Sequence, residues 1–425
     1  MLEVSDAPPL SVPLRFFLGA PVFGIAGALL LLIHPDTVLA SRWHPHAVAV
    51  LHCFTAGLML QAMLGALFQV LPVAVGSMVP QPRLLAAAVH PASVIGAALL
   101  VTGFMLPGHH LTGIGAALLA AACGVFVVAI APGLLHATAR DPARRLVRVA
   151  VAGLAVAIAL GFALAHQLEH GAGTHFVALV NLHALWALAG WALPLVAGVA
   201  VLVVPMFYIT PPYPATVMSL AAGALPVLLS TISTAALIGA IDLARWLALG
   251  IAAFALGFAL LTLRLFQLRR RTRGDATGSG WRGAMAALVI AAPLLALALF
   301  GGDGWLSERA AIALGVVLTV GVFSGVIGAM LLKILPFLAT LHLAALGLGA
   351  RLDSPPSERR LRWQASLHLA AVCALAMSVL WPALARVAGV FLLLAQLSLA
   401  GNVWGFALAF RRTRLKRSKA AVQPS

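Results

Sequence analysis

Leu51–Val73 reads LHCFTAGLMLQAMLGALFQVLPV, a stretch without one formal charge. A helix of about 20 apolar residues, rising 1.5 Å per residue, crosses a hydrocarbon core roughly 30 Å thick. The same stretch carries Gly57, Gly65 and Pro72 in the spacing G-x7-G-x6-P, and that spacing recurs. HALWALAGWALPLVAGVAVLVVPMF, from His183, holds Gly190, Gly198 and Pro205, and GVFSGVIGAMLLKILPF holds Gly321, Ala329 and Pro336, with alanine for the middle glycine. Gly57 and Gly190 lie 133 residues apart, Gly190 and Gly321 131. Small residues at i and i+8 sit on neighbouring sides of a helix, where a second backbone or a flat ligand approaches closely. Each repeat lies four apolar spans after the last, so the reading is three successive four-helix units.

Composition carries the membrane assignment to the whole chain. Of 425 residues, 62% are apolar and 9% are charged, and mean hydropathy is +1.06. A soluble domain keeps about a quarter of its residues charged, so most of this surface must meet lipid. Apolar runs fall at Leu14–Ile33, Ala47–Val75, Leu84–Leu106, Leu111–Leu135, Val147–Ala165 and Phe176–Tyr208. They continue at Ala215–Ile238, Trp246–Leu265, Gly283–Phe300, Ala310–Leu338, Ala365–Trp381 and Val387–Phe410. The expected fold is therefore all-α and polytopic, with about twelve transmembrane helices. A twelve-helix membrane domain spans 14–410, between a short N-terminal segment (1–13) and a basic tail (411–425). The first span follows acidic residues and lacks a clear cleavage site, which argues against a removable signal peptide.

The net charge of +16 does not point to nucleic acid, because the basic residues lie in short runs between spans. Arg140, Arg144, Arg145 and Arg148 join the fourth and fifth spans; Arg269, Arg270, Arg271, Arg273 and Arg282 join the eighth and ninth. Arg351, Arg359, Arg360 and Arg362 precede the eleventh, and RRTRLKRSK follows the twelfth from Arg411. All fall on one side if twelve spans alternate. This positive-inside pattern predicts a bacterial-type inner membrane protein with both termini cytoplasmic. Cys53, Cys123 and Cys373 lie in apolar runs without CxxC spacing and read as buried small hydrophobes.

All eleven carboxylates, Asp36, Asp141, Glu169, Asp242 and Asp303 among them, fall in loops, tails or helix ends. Proton- and sodium-coupled transporters place such groups within the bilayer, so ion-coupled transport is disfavoured. Lys333 lies close enough to the inner end to snorkel. The chain's abundant polar residue is histidine, fourteen in all. His34, His44, His46, His109, His110, His166, His170 and His175 belong to the outer side, and His90, His136, His342 and His368 to the inner. His52 and His183 fall within the outer third of the second and sixth spans, roughly 8–12 Å down. An imidazole there reads either as an interhelical hydrogen bond or as a ligand for haem iron or copper. The outer histidines read as interfacial polar groups or weak metal collectors, and Met59 and Met63 as core filling.

The stretch from His52 to Pro72, the stretch from His183 through VPMFYITPPYP, and LLKILPF on the tenth span resemble heme-copper oxidase subunit I. They resemble more closely its subunit-I-like relatives and the NnrS family of haem- and copper-containing membrane proteins linked to nitric-oxide stress. The resemblance implies three arcs of four helices, His52 as a haem ligand and His183 as a copper ligand, with haem b or copper near the outer face. In the resembled fold the second and sixth helices do not share one haem pocket, which makes a haem shared by His52 and His183 the lesser alternative. The departures are definite. The seventh span, ATVMSLAAGALPVLLSTISTAALIG, and the outer half of the tenth, AAIALGVVLTVGVF, contain no histidine where oxidases hold copper and two haems. A complete centre for reducing oxygen or nitric oxide is not expected. The reading is a degenerate member serving redox or nitrosative stress defence or cofactor handling, with lipid and a redox protein as partners. The alternatives are a transporter or channel for a small neutral or metal-bound solute, and an assembly subunit without its own chemistry.

Overall fold

A computed structural model describes residues 8–106, 108–136, 141–270, 275–302, 304–349 and 351–422. Arg140, Arg271, Arg273 and Asp303 lie outside the described residues. The chain is an all-α polytopic membrane protein: twelve helices are long and apolar enough to cross a bilayer, and no strand occurs among the described residues. They are α1 Ser11–Ile33, α2 Pro45–Val73, α3 Pro82–Met105, α4 Leu111–His136, α5 Pro142–His170 and α6 Phe176–Tyr208. The second half comprises α7 Ala215–Leu237, α8 Ile241–Gln267, α9 Ala276–Phe300, α10 Trp305–Ala345, α11 Glu358–Leu380 and α12 Pro382–Ser418.

Helix starts follow local chemistry. Proline opens α2, α3 and α5, where its missing N–H costs nothing. The side chains of His44, Asp141, Asp275 and Ser357 accept first-turn N–H groups of α2, α5, α9 and α11. The Asp275 cap moves one expected boundary. The segment GSGWR, expected in the loop before Gly283, is already helix, and Trp281 within it is fully buried. Gly280 permits this by meeting α10 closely; a Cβ there would lie 2.9 Å from that of Ala329. At the other extreme α12 runs unbroken through Ser418, so the basic tail begins as helix.

Helix pairing repeats three times. In α1–α4, in α5–α8 and in α9–α12, the first helix packs on the second and third, the second on the third, and the third on the fourth. The fourth helix of each arc meets the first of the next, and α12 meets α1, which closes the ring. The repeated small residues hold equivalent places. Gly65 faces Phe16 and Phe17 of α1, Gly198 faces Ala143 and Leu146 of α5, and Ala329 faces Gly280 of α9. Each repeat helix also widens into a π-helical segment: Cys53–Met59, Trp186–Ala192 and Val317–Ser324. Gly57, Gly190 and Gly321 are each the fifth residue of their segment. A further π-helical turn, Leu71–Val75, contains Pro72, whereas Pro205 and Pro336 lie within α-helical turns.

Lys333 extends its head to the end of α9, where its Nζ donates to Asp275 Oδ2 at 2.7 Å and lies 5.3 Å over the Tyr208 ring. A fixed carboxylate at the end of α9 offers it a nearer partner than water. Cys53 and Cys123 are buried, but Cys373 is exposed on α11, on an apolar helix face turned outward from the ring.

Candidate functional site

His52 and His183 are each seven residues into their helices, after Pro45 and Phe176, at matched depths of roughly 10 Å. The ring centroids stand 6.4 Å apart with planes 12° from parallel. Both line one cavity of about 610 Å³, bounded by α2, α3 and α4 of the first arc and α5 and α6 of the second. Its walls are mainly aliphatic and aromatic, with Phe104, Leu154 and Trp191 among them. A cavity of this size with few polar groups is the usual form of a small-molecule site.

The hydrogen bonds determine the state of both rings. His52 Nδ1 meets the Val48 carbonyl at 2.8 Å, and His183 Nδ1 meets the Ala157 carbonyl at 2.9 Å. A carbonyl only accepts, so each Nδ1 carries the proton and each neutral Nε2 keeps its lone pair. Among the described residues no hydrogen bond reaches either Nε2. Metal-binding histidines show this pattern: one nitrogen is oriented by a carbonyl and the other is left for the ligand. Gly161 of α5 makes room for the second ring, since a Cβ there would lie 2.9 Å from His183 Cε1. The π-helical segment of α2 begins at Cys53, directly after His52, and that of α6 begins three residues after His183. π-Helical turns of this kind concentrate at functional sites. On α10 the positions matching His52 and His183 are Val316 and Leu314, neither of which is a ligand.

The remaining histidines fall into separate groups. His34, His44 and His46 form a cluster, with ring centroids 4.1 Å apart for His34–His46 and 4.7 Å for His44–His46. His166 stacks on His170 at 4.2 Å. His109 and His110 stand at the mouth of the cavity. At the other end His136 and His342 bond to carbonyls one turn back, whereas His90 and His368 lie eight and ten residues into α3 and α11, their Nε2 atoms buried without a hydrogen-bond partner. Among the described residues no three His, Cys, Asp or Glu side chains are arranged to hold a metal ion. A bare copper ion at His183 would find His52 and no third protein donor.

The cavity mouth holds groups absent from the sequence reading. Arg42 lines it, lies 4.4 Å over the Trp43 ring and donates to Asn181 Oδ1 at 3.0 Å. Burial lowers the Arg42 pKa from its usual value, partly offset by Glu308. Glu169 accepts from the Gly113 N–H at 2.8 Å and lies 3.6 Å from His110 Nδ1. Arg42 stands two residues before His44, in the histidine-bearing segment HPDTVLASRWHPH. Gly161 and the Ala157 carbonyl belong to α5, and no spacing relates them to His183.

No family model matches the chain, and no curated protein matches it.

Proposed function

We propose that the cavity holds one haem b between His52 and His183, in a membrane protein of the subunit-I-like kind serving electron transfer in redox or nitrosative stress defence. The paired unpartnered Nε2 atoms on one cavity carry this reading. A macrocycle supplies four donors of its own, so two protein ligands suffice where bare copper needs more. The two near-parallel imidazoles, with ring centroids 6.4 Å apart, line the same cavity and would hold such a group between them. A haem held by His52 and His183 would supply one-electron transfer. The protein's part is to fix both imidazoles through the Val48 and Ala157 carbonyls and to exclude water with Phe104, Leu154 and Trp191. The proposal departs from the resemblance, which would give these two histidines to separate centres.

Detergent-purified protein, produced with ample haem, is expected to show a low-spin Soret spectrum and about one haem per chain. His52→Ala and His183→Ala should each lose haem or convert it to a high-spin form while remaining folded. A colourless folded protein overturns the reading and favours the transporter alternative. Unchanged haem in both variants overturns the ligand assignment.

A further inference from the structure

The first turn of α2 is held by a side chain whose hold depends on its charge. His44 precedes Pro45 and caps the helix: its Nδ1 accepts the His46 N–H at 3.1 Å, and its carbonyl accepts the Val48 N–H at 3.1 Å. A backbone N–H only donates, so His44 Nδ1 carries a lone pair and the ring is neutral. The common caps, Asn, Asp, Ser and Thr, do not titrate near neutrality. An imidazole titrates between about pH 5 and 8, and an imidazolium has no acceptor. A proton on His44 therefore removes the cap and sets a positive charge at a helix N-terminus, where the macrodipole opposes it. The His46 ring lies 4.7 Å from that of His44 and 4.1 Å from that of His34, and Thr37 Oγ1 is hydrogen-bonded to His46 Nδ1 at 2.8 Å. The other charged or titratable neighbours are Asp36 and Arg42 in the same segment, Glu308 and Arg309 of α10, Arg386 of α12, and His109 and His110 across the mouth. Among the described residues no carboxylate forms an ion pair with His34, His44 or His46.

The turn that His44 holds belongs to the cavity. Trp43, Pro45 and Val48 line it, and the Val48 carbonyl orients the His52 ring. We propose that His44 is an acid-released cap: neutral, it holds the first turn of α2, and protonated, it frees that turn and with it the mouth of the cavity. Crowding by the His46 ring adds to the effect, because two imidazolium groups at this separation repel. The consequence for a bound cofactor rests on the haem reading; the release of the turn does not.

The test is amide hydrogen exchange over residues 43–52 of the full chain in detergent, at about pH 7.5 and about pH 5.5, corrected for the intrinsic effect of pH on exchange. Wild type, His44→Asn and His44→Ala are compared. Wild-type protection of the first turn is expected to fall about fivefold in acid, the scale of a lost helix cap. His44→Asn keeps an acceptor that does not titrate, so its protection should be equal at both pH values. His44→Ala should be poorly protected at both; should it not fold, His44→Asn alone decides. Wild-type protection that does not change with pH overturns the cap. An acid loss in His44→Asn as large as in wild type overturns it too, because another group then titrates. Haem transfer from the loaded protein to apomyoglobin, followed at the same two pH values, tests the consequence. It should quicken in acid for wild type and not for His44→Asn; equal acid response in both overturns the link to the cavity. Protein that takes up no haem but shows the expected exchange pattern overturns the haem reading and supports the cap.

Discussion

Gly153 of α5 lies against the backbone of Gly190 in the π-helical segment of α6, so closely that a Cβ at 153 would sit 2.0 Å from the Gly190 carbonyl oxygen. Backbone meets backbone here, and no side chain can rotate away. The contact fixes the separation of α5 and α6 just below the pair of rings formed by His52 and His183. The widened turn thus serves packing as well as the site.

Gly153→Ala is therefore expected to push α6 away from α5. Overpacking of this kind costs about 1–3 kcal/mol, and the displaced helix carries His183. A lowered thermal midpoint in detergent together with an altered Soret band is the expected result. Normal stability with a normal spectrum would mean that the two helices separate freely at this point.

Gly161→Ala separates the site from the scaffold. Its Cβ would press on His183 Cε1 at 2.9 Å and Nδ1 at 3.3 Å, forcing the ring off the Ala157 carbonyl. Haem content or spectrum should change with little loss of helix content by circular dichroism. Gly257→Ala on α8, where a Cβ meets nothing within 4 Å, is the matched control. It should leave the spectrum alone and add up to about 1 kcal/mol from helix propensity.

What could be read along the chain follows the range of the forces involved. Apolar length and basic loops are local quantities, so all twelve spans were legible, and the glycine–proline spacing marked the three arcs. His52 and its Val48 acceptor are one turn apart and also fell within reach of local reasoning. The Ala157 carbonyl that orients His183 lies 26 residues away on another helix. Its role depends on how α5 and α6 pack. The early start of α9 is not legible in the sequence because GSGWR is polar and glycine-rich. It becomes helix through the Asp275 cap and the close approach of Gly280 to Ala329. The shared cavity depends on closing one arc against the next, which no single span records.

Asp275 and Lys333 give a pH-dependent prediction. Burial raises the Asp275 pKa, but hydrogen bonds from Lys333, the Gly278 N–H and Thr277, with the Lys333 charge, bring it net below its usual value. A carboxylate lowered on folding contributes stability in full above its unfolded value of about 3.9 and loses it as pH falls through the lower folded value. Lys333→Met should cost more than the roughly 1 kcal/mol of an exposed pair and less than the 3–5 of a fully buried one. The wild type's advantage over Lys333→Met in thermal midpoint should be constant near neutrality and shrink below about pH 4. A gap that persists unchanged at pH 3 would show that the lysine acts by packing alone.

Orientation is the last prediction, and it rests on which end of the ring each arginine occupies. Arg144, Arg145, Arg148, Arg269, Arg270, Arg351, Arg359, Arg360 and Arg362 lie near helix ends on one side of the ring. The opposite end, where His34, His44 and His46 cluster, carries Arg42, Arg245, Arg309 and Arg386 among the described residues. Three of these four are engaged locally: Arg42 with Asn181, Arg245 with Asp242 at 3.4 Å, and Arg309 with the Leu39 carbonyl at 2.8 Å. Positively charged loops are retained on the cytoplasmic side, so both termini should be cytoplasmic and the cavity mouth should face outward. Alkaline phosphatase fused after Ser425 should be inactive and a fluorescent reporter there active. A cysteine placed at His109 should react with an impermeant maleimide in intact cells, while one at Arg360 should not. Phosphatase activity at the C-terminus combined with labelling at Arg360 would invert the molecule, and the cavity mouth would then open to the cytoplasm.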